Sequence, residues 1–168
     1  MKHIIRVAGP DDLYGITNVF SEVSRDQNVS MATSAEMLSR VDAIGEYLKS
    51  YQDTDFVWHA IVVIKDEKVV GVCDILRAPL YRTRHVAELG IGLLPEYRGM
   101  GMGRALMDYA FDWMRKNGIT KTRLFVLEGN DIAGFFYKDL GFTEVGVYKN
   151  EVSTDNGFID LLIMEKIL

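Results

Sequence analysis

The sequence predicts an α/β (α+β) fold in which one mixed sheet of about seven strands is flanked by about four helices. Three observations lead there. β-rich runs and apolar stripes of helical period interleave in the order β, α, α, β, β, β, α, β, α, β, β, with no repeat, low-complexity tract or linker. The connections are of two kinds: the short polar Lys65-Asp66-Glu67-Lys68 suits a hairpin between antiparallel strands, whereas helices cross over between later strands. Finally, residues 91–104, Ile-Gly-Leu-Leu-Pro-Glu-Tyr-Arg-Gly-Met-Gly-Met-Gly-Arg, lead from an apolar strand through a glycine-rich turn into a helix.

Ile4, Ile5 and Val7 mark a first strand over residues 2–7, ended by Gly9-Pro10. Pro10, Asp11 and Asp12 open a helix, because proline presets φ and carboxylates suit the positive end of the helix dipole. Leu13, Ile16, Val19, Phe20 and Val23 form its core stripe. Residues 25–33 are polar and read as a loop. Thr33-Ser34-Ala35-Glu36 then matches a capping box, and Met37, Val41, Ile44 and Leu48 supply the stripe of a second helix. Residues 56–64 and 69–76 are the strands of the hairpin. Residues 84–94 form another strand, whose apolar residues do not alternate cleanly, so burial on both faces is expected. From Met102 to Arg115 the residues Leu106, Tyr109, Ala110, Trp113 and Met114 line one helix face, stopped by Asn117-Gly118. Leu124 to Leu127 is the next strand. Asn130 or Asp131 caps a short helix that turns Ala133, Phe136, Tyr137 and Leu140 inward and closes at Gly141. Residues 142–149 and 158–167 end the chain as two strands joined by a polar loop from Ser153 to Gly157.

A chain of 168 residues can bury a core without staples, so residues 1–168 are expected to form one domain. With 48% apolar and 26% charged residues, the composition is that of an ordinary soluble protein. No apolar run is long enough to cross a bilayer and no leader resembles a secretory signal; a cytoplasmic location and no membrane partner are expected. The single Cys73 cannot form an internal disulfide and reads as a small core residue. A formal charge of −5, with basic clustering limited to Arg77, Arg82 and Arg84, argues against a nucleic-acid partner. Acidic balance suits cationic substrates and mere solubility alike.

The glycine-rich turn carries the functional signal. Gly99, Gly101 and Gly103 remove Cβ atoms where the backbone bends, so N–H groups can approach a ligand. The helix that follows offers unpaired N–H groups in its first turn, and Arg98 and Arg104 flank it: an anion cradle, suited to a pyrophosphate. A Walker A loop is excluded because no Gly-Lys-Ser/Thr follows. Gly-x-Gly-x-Gly also departs from the Gly-x-Gly-x-x-Gly of dinucleotide-binding folds. A tight turn with no ligand stays open on these residues alone.

Arg98-x-x-Gly101-x-Gly103 resembles the acyl-CoA signature of the GNAT family of N-acetyltransferases, Gln/Arg-x-x-Gly-x-Gly/Ala. Leu93-Leu94-Pro95-Glu96-Tyr97 is similar to that family's strand end, and Asn130-x-x-Ala133-x-x-Phe136-Tyr137-x-x-Leu140-Gly141-Phe142 resembles its second motif. The resemblance implies the acyl-CoA N-acyltransferase fold, with a mixed, mostly antiparallel sheet. It also implies transfer of an acetyl group from acetyl-CoA to a primary amine by direct attack, without a metal. Residues Arg98, Gly99, Met100, Gly101, Met102, Gly103 and Arg104 would hold the pyrophosphate. The backbone of Ile91, Gly92 and Leu93 would bind the pantetheine arm like an added strand, the Leu93 N–H polarising the thioester carbonyl, and Asn130 would hydrogen-bond the cofactor or cap its helix.

An alkyl amine is neutral in roughly one molecule in a thousand at pH 7, so a base is useful. By resemblance that base is Glu88, with Glu128 or a water as alternatives; a structural carboxylate satisfied by Arg84, His85 or a neighbouring strand is the rival reading of Glu88. Tyr137 occupies the place of the family tyrosine that protonates the departing thiolate, and also binds cofactor by that analogy. Phe136 is read as core, and His59 as a strand residue. The acceptor is expected to be a small amine or amino-acid-like molecule, because Gly157-Phe158-Ile159-Asp160 and Met164 resemble the last strand of members with such substrates. A protein amino terminus or lysine is the alternative, and a non-catalytic acyl-CoA-binding module a second one. A homodimer is a possible assembly.

Overall fold

Runs rich in Val, Ile and Leu build seven strands among the described residues, 3–49 and 57–168 of a computed structural model. They are β1 (Ile4–Val7), β2 (Trp58–Lys65), β3 (Lys68–Arg77), β4 (Val86–Leu93), β5 (Lys121–Leu127), β6 (Thr143–Thr154) and β7 (Gly157–Ile167). One sheet joins them in the order β1-β2-β3-β4-β5-β7-β6. Every pairing is antiparallel except β4 with β5, which is parallel, so the mixed, mostly antiparallel sheet expected from the sequence is found. Phe56, placed at the start of β2 by the sequence, lies outside the described residues.

Alternation along β2 and β3 feeds two cores. Ala60, Val62 and Val72 face α1 (Leu13–Val23) and α3 (Val41–Lys49), where they pack with Ile16, Val19, Ile44 and Leu48. Ile61, Val63, Cys73 and Ile75 face the other way, toward α4 (Met102–Lys116) and α5 (Asp131–Asp139). Full burial of the valines, isoleucines and leucine among these stabilises by about 1.5–3 kcal/mol each. At the entry to α1, a 3₁₀ turn over Pro10–Asp12, the Asp12 carboxylate accepts the Gly9 N–H (2.8 Å) and a bidentate pair from Arg6 (2.6 and 2.9 Å), tying β1 to the first helix.

The capping box is present: Thr33 Oγ1 accepts the Glu36 N–H and Glu36 Oε2 accepts the Thr33 N–H. The helix it opens, however, breaks at Arg40 into α2 (Ser34–Ser39) and α3, making five helices rather than four among the described residues. Ser34 Oγ donates to the Ser21 carbonyl at 2.6 Å, which holds α2 against the end of α1. Ile44 and Leu48 must at the same time reach the core beside Ile16, and two short helices with a bend between them meet both demands. In α4, Tyr109 is 38% exposed and Met107 and Phe111 complete the buried stripe instead. β4 has both faces covered, as expected: Ala87 and Leu89 are buried on one side, and on the other Gly92 is buried against Val23 while Glu88 and Gly90 border a cavity. The last hairpin is longer than its apolar residues suggest. Pairing with β7 carries β6 through Thr154, past a bulge at Asn150 (φ 54°), and leaves only Asp155-Asn156 to turn.

The β2–β3 turn has both central residues left-handed, Asp66 at φ 49° and Glu67 at φ 62°, which is a type I′ hairpin built without glycine. Glu67→Gly is therefore expected to stabilise the protein by about 0.5–1 kcal/mol in urea unfolding. A loss of stability would contradict this turn geometry.

Candidate active site

The sheet opens where β4 and β5 part. Their parallel ladder covers only Val86–Glu88 against Lys121–Arg123. Beyond it the polar backbone of both strands faces the gap. The Leu94 N–H donates to the Val70 carbonyl at 3.0 Å, so Leu93 and Gly71 form a non-bonded pair of the antiparallel ladder. Leu93's own N–H and C=O thus point away from β3, and by alternation so do those of Ile91. On the far side, the Glu128 N–H bonds the Asp160 carbonyl at 3.0 Å, which turns the polar groups of Leu127 and Phe125 into the same gap.

One cavity of about 460 Å³ fills the gap on the side of α4. Ile91, Gly92 and Leu93 line it from β4; Arg98, Gly99, Gly101, Gly103 and Arg104 line it from the turn; Asn130 and Tyr137 line it from α5 and its cap. Gly99 (φ 71°) and Gly101 (φ 78°) are left-handed, and a Cβ on either would enter open space. Gly103 has another role: its Cβ would stand 3.1 Å from Leu93 Cδ1, so its absence lets α4 approach β4. Met100 is exposed at the apex of the turn and Met102 turns into the core, so neither side chain lines the cavity. Arg98 Nε donates to the Leu93 carbonyl (3.1 Å), and Arg104 pairs with Asp139. Asn130 Oδ1 accepts the Ala133 N–H at 3.2 Å, making it the helix cap as well as a cavity wall.

A second cavity, of about 620 Å³, lies toward α1, α2 and α3 and meets the first along Ile91, Gly92, Phe125 and Tyr137. Glu88 lines this second cavity, where Arg123 of β5 approaches it at 3.4 Å; the neighbouring-strand partner is thus Arg123. Glu128 lines neither cavity, and its side chain accepts the Asp160 N–H instead (3.1 Å). Tyr137 borders both. Burial pushes its phenol well above the ordinary value of 10, with the nearby Cys73 and Asp74 adding, so it stays protonated. His59 lies in β2 against Trp113, away from both cavities.

Asp74 is the residue that sequence reasoning passed over. It stands in the second cavity, opposite Gly90 of β4, inside the apolar run Val69-Val70-Gly71-Val72-Cys73-Asp74-Ile75-Leu76. A lone carboxylate in the middle of such a strand was the available signal. Burial raises it from 3.8 to about 6, and the charge of Glu88 adds to the rise.

The sequence pattern of the acetyltransferase (GNAT) family matches residues 24–142. The chain belongs to that family. Among curated members, the ribosomal protein bS18 alanine N-acetyltransferase of Escherichia coli K12 is 35% identical over 74 residues, which cover 44% of this chain. They cover 50% of that enzyme, so the matched part is about half of the relative's length. Among solved structures, a GNAT-family acetyltransferase from Streptococcus pneumoniae superposes with a TM-score of 0.90 at 24% identity, covering 99% of this chain and 100% of the other. A phosphinothricin acetyltransferase from Sinorhizobium meliloti in complex with acetyl-CoA gives 0.80 at 21%, covering 100% and 89%. These two share the fold.

An acid whose pKa is raised on folding destabilises the fold, a cost that is absent below 3.8 and complete above about 6. Asp74→Asn removes that cost. It is expected to stabilise the protein by about 1–2 kcal/mol at pH 7.5 in urea unfolding, the gain fading toward pH 4. Equal or lower stability of the variant at pH 7.5 would show that the carboxylate is not buried as described.

Proposed function

We propose that the protein is an acetyl-CoA-dependent N-acetyltransferase acting on a small primary amine. The observation that carries this is the meeting of two cavities at an open sheet edge: a glycine-lined, arginine-flanked one and a carboxylate-bearing one, joined at Ile91, Gly92 and Tyr137. The first fits a coenzyme A. Its turn has room where Cβ atoms would stand, N–H groups at the start of the 15-residue α4 suit pyrophosphate oxygens, and Arg98 and Arg104 add charge. The apolar remainder of the cavity suits a pantetheine arm, which can pair with the gap-facing polar groups of Ile91 and Leu93 as an added strand. The family and the acetyl-CoA complex of a structural neighbour support the same donor.

In this reading the Leu93 N–H stabilises the charge that grows on the acyl oxygen as the amine attacks. A phenol as weakly acidic as Tyr137 serves the departing sulfur best by donating a hydrogen bond, while the proton itself comes from the attacking nitrogen. Proton removal from the incoming ammonium falls to a carboxylate of the second cavity, which offers Glu88 and Asp74; no group of side chains able to hold a metal occurs among the described residues.

The walled second cavity favours a small amine or amino-acid-like acceptor. A protein amino terminus is the second reading, favoured by the ribosomal-protein alanine N-acetyltransferase among the relatives. A free-thiol assay over an amine panel, run beside intact-mass assays on peptides, separates them; acetyl-CoA binding without turnover of either would leave a non-catalytic module. The reading takes residues 1–168 as one domain in the cytoplasm, where a buried free thiol such as Cys73 is ordinary. Among the described residues no helix is long and apolar enough to cross a membrane. Sedimentation would distinguish a monomer from a homodimer.

Gly101→Glu is expected to abolish acetyl-CoA binding in calorimetry while keeping the circular-dichroism spectrum, because it puts bulk and negative charge into the cradle; unchanged binding would refute the site. Tyr137→Phe should lower kcat by about 10–100-fold with little change in the KM for acetyl-CoA. An unchanged kcat would remove Tyr137 from the chemistry.

A further inference from the structure

We propose that Asp74 receives the acceptor's ammonium group and takes its proton, and that the acceptor carries this ammonium on an aromatic or branched apolar body. The inference rests on the N-acetyltransferase reading and decides between its two carboxylates. Residues opposite one another in a ladder share a face, so Asp74, paired with Gly90, lies on the same side of the sheet as Glu88 and Gly92. Gly90 makes that placement feasible: a Cβ there would stand 2.6 Å from Asp74 Oδ1. The carboxylate therefore lies across β4, beside the Ile91–Gly92 segment where the two cavities meet.

Glu88 is held by Arg123, whereas Asp74 has no ion-pair partner among the described residues. Half-burying a carboxylate with no cationic partner is unfavourable, and a cavity that admits a cation relieves it. The other ionisable groups bordering the cavity are Glu88 of β4, Arg40 between α2 and α3, Tyr47 of α3 and Tyr137 of α5. Phe20, Tyr47, Trp58 and Phe125 wall it, with Tyr47 and Trp58 in ring contact at 5.6 Å, so both an apolar body and the face-on approach of an ammonium are accommodated.

The step balances. One ammonium proton passes to an Asp74 oxygen, the freed lone pair forms the N–C bond as the C–S bond of acetyl-CoA breaks, and a second nitrogen-bound proton goes to the departing sulfur. Asp74 returns its proton to solvent, so each turnover releases one proton.

The test uses 2-phenylethylammonium and its neutral analogue 2-phenylethanol, titrated by calorimetry into the full-length, coenzyme A-saturated protein at pH 7.5. The wild type should prefer the cation by about tenfold or more; Asp74→Asn should erase the preference and Glu88→Gln keep it. In turnover, Asp74→Asn should lower kcat about 100-fold or more at unchanged KM for acetyl-CoA, and should remove the acid-side fall of kcat/KM near pH 6. Gly90→Ala, which crowds the carboxylate and leaves all charges in place, should also lower kcat. A wild type without cation preference, or an Asp74→Asn variant that keeps it, overturns the proposal. Cation preference lost with Asp74→Asn, but no amine turned over by the wild type, contradicts the acetyltransferase reading and proton removal while upholding Asp74 as the anchor.

Discussion

The parting of β4 from β5 after three residue pairs is the constraint on which the site depends. A continued ladder would pair the N–H and C=O groups of Ile91 and Leu93 with β5 and close both cavities. Two glycines keep the β4 side of the gap slender. At Gly92 a Cβ would approach Val23 Cγ2 of α1 to 3.2 Å, and at Gly90 it would meet Asp74. β5 is drawn the other way by its ladder with β7, from Lys121 to Leu127. The gap is thus held from both sides by hydrogen-bonded strands, and its exposed backbone groups are fixed in place before any ligand arrives, which keeps the reorganisation cost of binding low.

Charge is divided across this opening. Arg98 and Arg104 border the cavity on the α4 side, and Asp74 and Glu88, together with the cation Arg40, border the cavity on the α1 side, although the chain as a whole is acidic. In the proposed reaction an anionic donor and a cationic acceptor would each be drawn to a different mouth, meeting where the cavities share Ile91, Gly92, Phe125 and Tyr137. The arginines are also structural: Arg98 fastens the turn to the Leu93 carbonyl and Arg104 fastens α4 to Asp139 of α5, so the cradle's charge is set in position.

Much of this was legible in the sequence because it rests on local chemistry. The glycine turn, the Asn130 cap, the Thr33–Glu36 capping box and the helix stop at Gly118 are each encoded within a few residues, and all are found. Long-range effects were not legible. The bend at Arg40 follows from two contacts of a helix with different neighbours, and β6 runs on through polar residues because β7 pairs with it. Asp74 gains its meaning from Gly90 on the next strand and from having no ion-pair partner among the described residues, neither of which the residues around it encode.

In the proposed function the gap-facing edge of β4 is the strand that binds the donor. Site-resolved amide hydrogen exchange, with and without acetyl-CoA, tests this most directly, because neighbouring residues on one strand must behave oppositely. The N–H groups of Ile91 and Leu93 should exchange fast in the free protein and become strongly protected by acetyl-CoA, while those of Gly90 and Gly92, bonded to β3 throughout, should be slow in both states. Equal protection of all four residues in the free protein, or no change at Ile91 and Leu93 on saturation, would contradict the account.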